Sequence, residues 1–209
     1  MYENLRGKTI SFEGGEGAGK GTLIRGLMEE LKKYDLDILQ TREPGGVKIS
    51  EQIREVIVNK DNTSMCYETE ALLYAAARAQ LMNEVIFPAR DNGKTIILDR
   101  FVDSSYVYQG VARGLGIEKV VEINKFATKD FLPDKTIILD IEPEIGLSRI
   151  FENNRETNRL DMESIEFHKK IREGYHLLSK MFSDRIVLVD ASKSPEEVLE
   201  DVLKVLREI

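Results

Sequence analysis

The chain has 209 residues, of which 42% are hydrophobic and 32% are charged, and its net charge at pH 7 is −7. This length and composition fit one soluble globular domain, and the negative charge argues against a nucleic-acid-binding surface, which would need a basic patch. No apolar run reaches membrane-spanning length, and the N-terminus lacks a signal-like segment, so no membrane association is expected. Because Cys66 is the single cysteine, no internal disulfide can form, and a cytoplasmic location is expected.

The first predicted elements are a strand over residues 9–12 and a helix over residues 23–34, joined by a glycine-rich loop. Gly14, Gly19 and Lys20 have the spacing Gly-x4-Gly-Lys, in which backbone N–H groups and the lysine face phosphate oxygens. An ordinary glycine-rich turn between a strand and a helix is the alternative. The context favours a nucleoside triphosphate site. Its expected residues are Gly14, Gly15, Glu16, Gly17, Ala18, Gly19, Lys20, Gly21 and Thr22.

The loop departs from the usual pattern at Gly21, where a Ser or Thr commonly ligates magnesium. Thr22, one place later, is therefore the candidate for holding the ion or a water bound to it. Asp99 closes the third predicted strand, and a carboxylate at that position can reach a magnesium ion or its waters. The sequence predicts Mg²⁺ as cofactor, with Thr22 and Asp99 as its candidate ligands.

Four further apolar runs predict strands over residues 38–40, 95–98, 136–139 and 186–189. Helical periodicity predicts helices over residues 49–57, 69–89, 120–126, 164–182 and 195–206. Alternation of strands and helices indicates an α/β fold in which helices cover both faces of a parallel sheet. No linker or repeat divides the chain, so we expect one domain over residues 1–209. Ligands of such sheets bind beyond the carboxyl ends of the strands, where the loop and Asp99 fall.

Several other side chains are candidates for a second ligand. Arg100 follows Asp99 and could bridge two phosphates, although the pair also fits a strand-end cap beside a surface arginine. Arg42 precedes a Pro-Gly-Gly turn and could meet a phosphate, and a plain turn fits equally well. Tyr74 and Arg78 are four residues apart, so they share a helix face that could stack on and hydrogen-bond a nucleobase. The alternative is a core tyrosine beside a solvated arginine.

A polar stretch from about residue 149 to 160 contains Arg149, Arg155 and Arg159 between two helical segments. This composition fits a mobile lid that closes over phosphates and excludes water. A solvated connection between two helices fits it equally well.

Taken together, these motifs resemble the thymidylate kinase family, phosphate-loop enzymes that move a phosphoryl group from ATP to dTMP. The resemblance extends over essentially the whole chain, from Ile10 to the last predicted helix, and rests on residues 12–22, 41–46, 70–80, 99–110 and the lid. It implies a three-layer P-loop NTPase-type fold with a five-stranded parallel sheet and a short lid. It also implies ATP and dTMP as substrates, magnesium, and a homodimer.

The resemblance implies a catalytic group, which consists of Lys20, Asp99, Arg100, Arg155 and Arg159. Lys20 would hold the ATP phosphates, and Arg100 would bridge the donor and acceptor phosphates. Gly17 stands where one branch of the family has an arginine, so this chain resembles the branch whose catalytic arginine comes from the lid. Residues 158–161 best fit the family's D-R-x-E run, which favours Arg159 over Arg155.

The resemblance also implies an acceptor pocket, formed by Glu16, Arg42, Pro44, Arg54, Tyr74, Arg78, Arg100, Ser104, Ser105, Tyr108 and Gln109. Glu16 matches the carboxylate that meets the sugar 3′-hydroxyl, and Tyr108 the residue that crowds the 2′ carbon. Tyr74 matches the aromatic that stacks on thymine, usually Phe, and Arg78 the arginine that reads the base edge.

Two other functions stay open at this point. The Gly-Lys-Gly-Thr end of the loop resembles adenylate kinases and so suggests another nucleoside monophosphate kinase. A nucleotide-dependent switch without a phosphoacceptor is the second alternative, but it would leave Tyr74, Arg78 and the lid arginines without a role.

Overall fold

The computed structural model describes residues 2–152 and 159–209. Within these ranges five strands form one parallel sheet in the order β2-β3-β1-β4-β5. The strands are β1 (Thr9–Gly14), β2 (Ile38–Arg42), β3 (Thr95–Asp99), β4 (Lys135–Asp140) and β5 (Ile186–Asp190). The predicted five-stranded parallel sheet is therefore confirmed. Each strand overlaps its predicted range, and three of the strands end on the acidic residue that follows the apolar run.

Helices connect and cover the strands. They are α1 (Lys20–Leu31), α2 (Lys48–Val58), α3 (Tyr67–Leu81), α4 (Phe87–Asp91), α5 (Val102–Ser105), α6 (Ile117–Thr128), α7 (Pro143–Glu152), α8 (Ile165–Met181) and α9 (Pro195–Arg207). Two π-helical segments, Met82–Ile86 and Tyr106–Ala112, join α3 to α4 and continue α5. No helix in the described ranges is both long and apolar enough to cross a membrane.

The two faces of the sheet carry separate hydrophobic clusters, because neighbouring residues of a strand point to opposite faces. Ile97 of β3 belongs to the cluster that α1 and α9 cover, with Leu27 and Val202. Ile96 and Leu98 belong to the cluster on the other face, under α8 and the segment Tyr106–Ala112. This arrangement gives three layers, helix, sheet and helix, as the sequence predicts.

Local signals in the sequence explain where α8 and α9 begin. The side chain of Ser164 accepts a hydrogen bond from the Phe167 backbone N–H and caps α8. At α9 the side chains of Ser194 and Glu197 each bond the other's backbone N–H, which forms a capping box. Pro195 takes the first helical position of α9, where its missing N–H costs nothing.

The assignment of helices from the sequence needs correction at three places. The helix expected over residues 69–89 is interrupted by the π-helical segment Met82–Ile86, which periodicity alone does not reveal. Residues 102–112 were not predicted as helical, although α5 and the segment Tyr106–Ala112 occupy them. The expected lid at residues 149–160 begins inside α7, which ends at Glu152. Residues 153–158, with Arg155, lie outside the described residues.

Candidate active site

A cavity of about 780 Å³ runs along the carboxyl edge of the sheet. Its walls include Arg42 at the end of β2, the loop between β1 and α1, and Ala191 just after β5. Since β2 and β5 are the two edge strands, the cavity spans the sheet from one side to the other, with the glycine-rich loop at its middle. One cavity can thus accommodate two ligands that meet at the loop.

Most of the residues predicted for the site line this cavity. They are Glu16, Gly17, Ala18, Gly19, Lys20, Gly21, Thr22, Arg42, Pro44, Arg54, Tyr74, Asp99, Arg100, Ser104, Ser105, Tyr108 and Gln109. Gly14, Gly15, Arg78 and Arg159 do not line it, and Arg155 lies outside the part of the chain that the structure describes.

Lys20 begins α1 and folds back over the loop that precedes it. Its Nζ donates hydrogen bonds to the carbonyl oxygens of Gly14 and Gly15, at 3.0 and 3.1 Å. Burial, together with the charge of Arg100, lowers the pKa of Lys20 to about 8. The two glycines therefore contribute carbonyls that hold the lysine, rather than wall surface.

Gly17 lies against α7 at a distance that no side chain allows. Its φ is +70°, and a Cβ there would lie 1.8 Å from the carbonyl oxygen of Gly146. A Cβ on Gly146 would in turn lie 2.3 Å from the carbonyl oxygen of Glu16. The loop therefore has no room for an arginine at position 17.

Glu13, just before the loop, is a buried carboxylate that was not among the predicted site residues. Glu13 is 0% exposed; its Oε1 accepts the Phe101 N–H at 2.7 Å, and its Oε2 accepts the Tyr175 hydroxyl at 3.0 Å and the Ser104 hydroxyl. Burial, reinforced by the nearby charge of Asp103, raises the pKa of Glu13 to about 7. The available signal was an acidic residue inside a strand whose neighbours are buried.

Arg100 crosses from β3 to the loop and contacts several of its groups. Its Nη1 donates to Gly14 O at 3.0 Å and to Ser104 Oγ at 3.1 Å, and its Nη2 donates to Glu16 Oε1 at 2.8 Å. The guanidinium also lies 5.1 Å from the centre of the Tyr108 ring. The backbone of Arg100 has a φ of +69°, a conformation that few residues other than glycine adopt. These contacts hold a cation at the middle of the cavity.

Two arginines on the β2 side converge on one carbonyl group. Nη1 of Arg42 and Nη1 of Arg54 donate to Pro44 O at 3.1 and 3.0 Å. Arg42 also pairs with Glu51 at 2.9 Å. Burial, followed by the charge of Arg42, lowers the pKa of Arg54, as expected for two adjacent cations. Such a pair is a suitable binding site for an anion.

Tyr74 and Arg78, predicted to share a helix face, have different environments. Tyr74 lines the cavity, whereas Arg78 is 2% exposed and lies behind the wall. Arg78 Nε donates to Glu43 Oε2 at 2.7 Å, and its other nitrogens bond Ser105 Oγ at 3.1 Å, Asn124 Oδ1, and the Phe101 carbonyl at 3.1 Å. The alternative of a solvated Arg78 is therefore wrong.

The lid arginine favoured by the sequence also bonds protein groups. Arg159 Nε donates to Ile57 O at 3.0 Å, and Nη2 donates to Glu70 Oε2 at 2.5 Å. Arg149, at the end of α7, does line the cavity, and its Nη1 donates to Ala191 O at 3.1 Å. The structure thus brings a different arginine of the lid region to the cavity.

The residues that form the cavity wall beyond β5 were also not among the predicted site residues. Ala191, Lys193 and Pro195 line it, together with Arg149. The signal was present, because ligand sites of parallel sheets lie beyond strand ends, and the sequence places these residues just after the last strand.

The oxygen groups proposed for magnesium suit that ion. Thr22 and Asp99 both line the cavity, and both present oxygen atoms, the ligands that Mg²⁺ prefers. Among the residues described, no group of three or more His, Cys, Asp and Glu side chains could hold a metal by itself. Magnesium in phosphate-loop sites usually keeps waters and substrate phosphates as ligands, so one carboxylate and one hydroxyl fit it.

Comparison with known proteins agrees with this geometry. The sequence model of the thymidylate kinase family matches residues 12–202. A thymidylate kinase of Geobacillus sp. (strain WCH70) is 55% identical over 195 residues, which cover 93% of each chain. One of Bacillus cereus (strain ATCC 10987 / NRS 248) is 51% identical over 205 residues, covering 98% of this chain and 99% of the relative.

Among solved structures, the crystal structure of thymidylate kinase from Ehrlichia chaffeensis superposes with a TM-score of 0.79. It is 26% identical, and the match covers 97% of this chain and 99% of the other. The sequence family, the relatives and the fold agree over nearly the full length. The chain therefore belongs to the thymidylate kinase family, and it is an enzyme of the nucleoside monophosphate kinase kind.

Proposed function

We propose that this enzyme transfers a phosphoryl group from ATP to dTMP. It holds the two nucleotides end to end in the cavity along the sheet. The observation that carries this proposal is the span of that cavity from the end of β2 to the end of β5, with the glycine-rich loop between. The ATP phosphates lie on the loop, and the adenosine extends toward Arg149 and Pro195. dTMP occupies the β2 side, so that Arg100 lies where the two phosphate groups meet.

Each part of dTMP has a matching part of the wall. Arg42 and Arg54 neutralise its phosphate, with Pro44 O fixing both guanidinium groups. Tyr74 stacks on thymine, which is aromatic and planar. Glu16 accepts from the sugar 3′-hydroxyl, while the Tyr108 ring occupies the space that a ribose 2′-hydroxyl would need.

Four further side chains support the acceptor wall. Ser104 and Ser105 connect it to Arg100 and Arg78, which donate to their hydroxyl oxygens. Gln109 lies in the wall and donates to Glu70. Arg78 holds the wall beside the base, and it reads the base edge directly only if a ligand oxygen replaces one of its present acceptors.

The reaction needs alignment and charge neutralisation more than proton transfer. The acceptor phosphate of dTMP is already anionic at neutral pH, so its oxygen attacks the γ-phosphorus without a strong base. The bond from the γ-phosphorus to the oxygen it shares with the β-phosphate breaks, and that oxygen leaves on ADP. Lys20 and Arg100 neutralise charge on the transferring group, as cations do in phosphoryl transfer generally.

Magnesium fits this site, with Thr22 and Asp99 as the groups that would hold it or its waters. The ion would supply further neutralisation of phosphate charge. The resemblance adds one lid arginine to the set, with Arg155 and Arg159 as the two candidates.

Coupled ADP release is the direct test. Turnover is compared among dTMP, dUMP, dCMP, dGMP, AMP, UMP and no acceptor, each with ATP and magnesium. Strong preference for dTMP supports the proposed pocket. Preference for another acceptor would overturn the base assignment, and release without any acceptor would favour the nucleotide switch.

Exposed apolar side chains support the proposed homodimer. Ile49 and Val56 on α2, Leu72 on α3 and Phe126 on α6 are exposed, Phe126 by 90%. α3 packs against both α2 and α6, so these side chains lie on adjoining helices, and a second copy would cover them. Sedimentation of Phe126→Glu should show a monomer, while Leu177→Glu, which changes an exposed leucine on α8, should leave the mass unchanged. A cytoplasmic location stays a prediction from the sequence.

A further inference from the structure

Glu70 is a buried carboxylate on α3 that three other side chains bond. Gln109 Nε2 donates to Oε1 at 2.8 Å, and Arg159 Nη2 donates to Oε2 at 2.5 Å. Arg113 donates to both oxygens, at 3.3 and 3.2 Å. Burial alone would raise the pKa of Glu70, but the hydrogen bonds from these three side chains outweigh it and lower the pKa. The carboxylate is therefore held ionised behind the cavity wall.

The position of Glu70 connects it to the acceptor side of the cavity. It lies one helical turn before Tyr74, and its partner Gln109 is itself part of the wall. A carboxamide can offer a fixed hydrogen-bonding group to a ligand only if its own orientation is fixed. Glu70 fixes it, because one hydrogen of Gln109 Nε2 is committed to the carboxylate.

Arg159 connects the end of the lid to the same carboxylate. Its backbone N–H donates to Val58 O at 3.3 Å, and its Nε donates to Ile57 O at 3.0 Å. Val58 and Leu160, on either side of this contact, line the cavity, but Arg159 does not, and its side chain is only 11% exposed. The guanidinium thus joins the end of α2 to α3 without facing the space where phosphates bind.

The charges in this cluster balance. Arg113 pairs with Glu163 at 2.6 Å as well as with Glu70, so two arginines meet two carboxylates. If Arg159 left to bind a phosphate, Glu70 would stay buried with less compensation, and breaking a buried ion pair in this way is strongly unfavourable.

We propose that Arg159 is a positioning residue, bound to Glu70 as an anchor for the end of the lid, and that Glu70 is a second positioning residue that orients Gln109 for dTMP. This inference rests on the proposed function, and it replaces the catalytic role that the sequence pattern favours for Arg159. Neither residue touches the transferring phosphoryl group.

The test compares Glu70→Gln, Arg159→Gln and the double variant in kcat, in KM for dTMP and in melting temperature. We expect each single change to raise KM for dTMP about tenfold, and the double variant to be no more than about twofold worse than either. Such non-additivity is the result expected when Glu70 and Arg159 act through one shared interaction. Wild-type turnover with dTMP is measured first, and its absence would overturn the proposed function rather than the anchor.

Three results would overturn the anchor. If Arg159 touches phosphate, Glu70→Gln frees it and leaves kcat unchanged or higher, while Arg159→Gln lowers kcat about 10³-fold in both backgrounds. If the pair only stabilises the fold, the melting temperature falls while KM for dTMP stays constant. Arg113→Gln is the matched control, since it removes a cation from the same carboxylate and leaves the contacts of Arg159 in place. An equal rise in KM for this control would assign the effect to charge balance and contradict the anchor.

Discussion

The Tyr108 hydroxyl donates a hydrogen bond to Glu16 Oε1 at 2.9 Å. The resemblance assigned these two residues to neighbouring carbons of the same sugar, the 3′ and the 2′, and the structure joins them by this hydrogen bond. Burial raises the pKa of Tyr108 well above its usual value, so the hydroxyl keeps its proton and acts as the donor. The same Glu16 oxygen also accepts from Arg100, at 2.8 Å. Sugar selection and phosphate contact are thus linked through one carboxylate.

Changing Tyr108→Phe separates the ring from the hydroxyl. The ring still fills the space beside the 2′ carbon, so discrimination between dTMP and ribothymidine monophosphate should stay within about twofold of wild type. Glu16 loses one donor, worth about 1 kcal/mol, so KM for dTMP should rise about fivefold. Steady-state kinetics with both nucleotides measure these effects.

The comparison variant is Tyr108→Leu, which removes the ring as well and should lose most of the discrimination. Equal loss of discrimination in the Phe and Leu variants would mean that the hydroxyl, and not the ring, excludes ribose.

Arg100 should be required for turnover and not for folding. Arg100→Ala removes the cation that contacts Gly14 and Glu16 of the loop, and kcat should fall about 10³-fold. Arg100→Lys keeps the charge but cannot bridge two groups with a planar fork, so its kcat should be intermediate. Circular dichroism checks the fold of both variants. Arg90→Ala, which removes an exposed arginine paired with Asp91, should leave kcat unchanged, and near-normal turnover of Arg100→Ala would contradict the assignment.

The contact between Gly17 and Gly146 predicts an unusual sensitivity within the loop. A methyl group at position 17 meets a carbonyl oxygen at 1.8 Å and also strains the backbone, so Gly17→Ala should lower the free energy of unfolding by more than about 2 kcal/mol. Gly21 has no neighbouring atom within 4 Å of such a methyl and lies in α1. Gly21→Ala should therefore be neutral or stabilising by up to about 1 kcal/mol, as alanine is in a helix.

Urea unfolding of the two glycine variants measures the difference. If both changes had the same effect, the close approach of the loop to α7 would not be a constraint on the protein.

The sequence predicted those features that depend on neighbours along the chain. Short apolar runs with acidic ends located the strands, and the spacing of Gly14, Gly19 and Lys20 located the loop. The sequence also placed Tyr74 in a helix, because the residues around it show helical periodicity. These are local patterns, so the sequence contains them directly.

Features that depend on distant partners could not be read in the same way. Glu13 accepts from a backbone group 88 positions away, and Arg159 donates to a carboxylate 89 positions away. Arg78 has the spacing of a base-reading residue, yet four partners from separate elements enclose its guanidinium. Spacing gives the helix face of a side chain, whereas the fold decides which groups reach it first.

The buried carboxylate of Glu13 predicts a specific dependence of stability on pH. Its pKa is about 7 in the folded protein and near 4.5 in the unfolded chain, because burial and Asp103 disfavour its charge and Arg100 only partly offsets them. Between these values the folded state binds more protons at Glu13 than the unfolded state does. The contribution of Glu13 to the free energy of unfolding therefore falls as the pH rises from about 4.5 to about 7. Glu13→Gln lacks this contribution, and its stability relative to wild type should improve by at least about 1 kcal/mol between about pH 5 and about pH 8. Urea unfolding of both proteins at the two pH values measures the change, and a constant difference would show that Glu13 is ionised throughout.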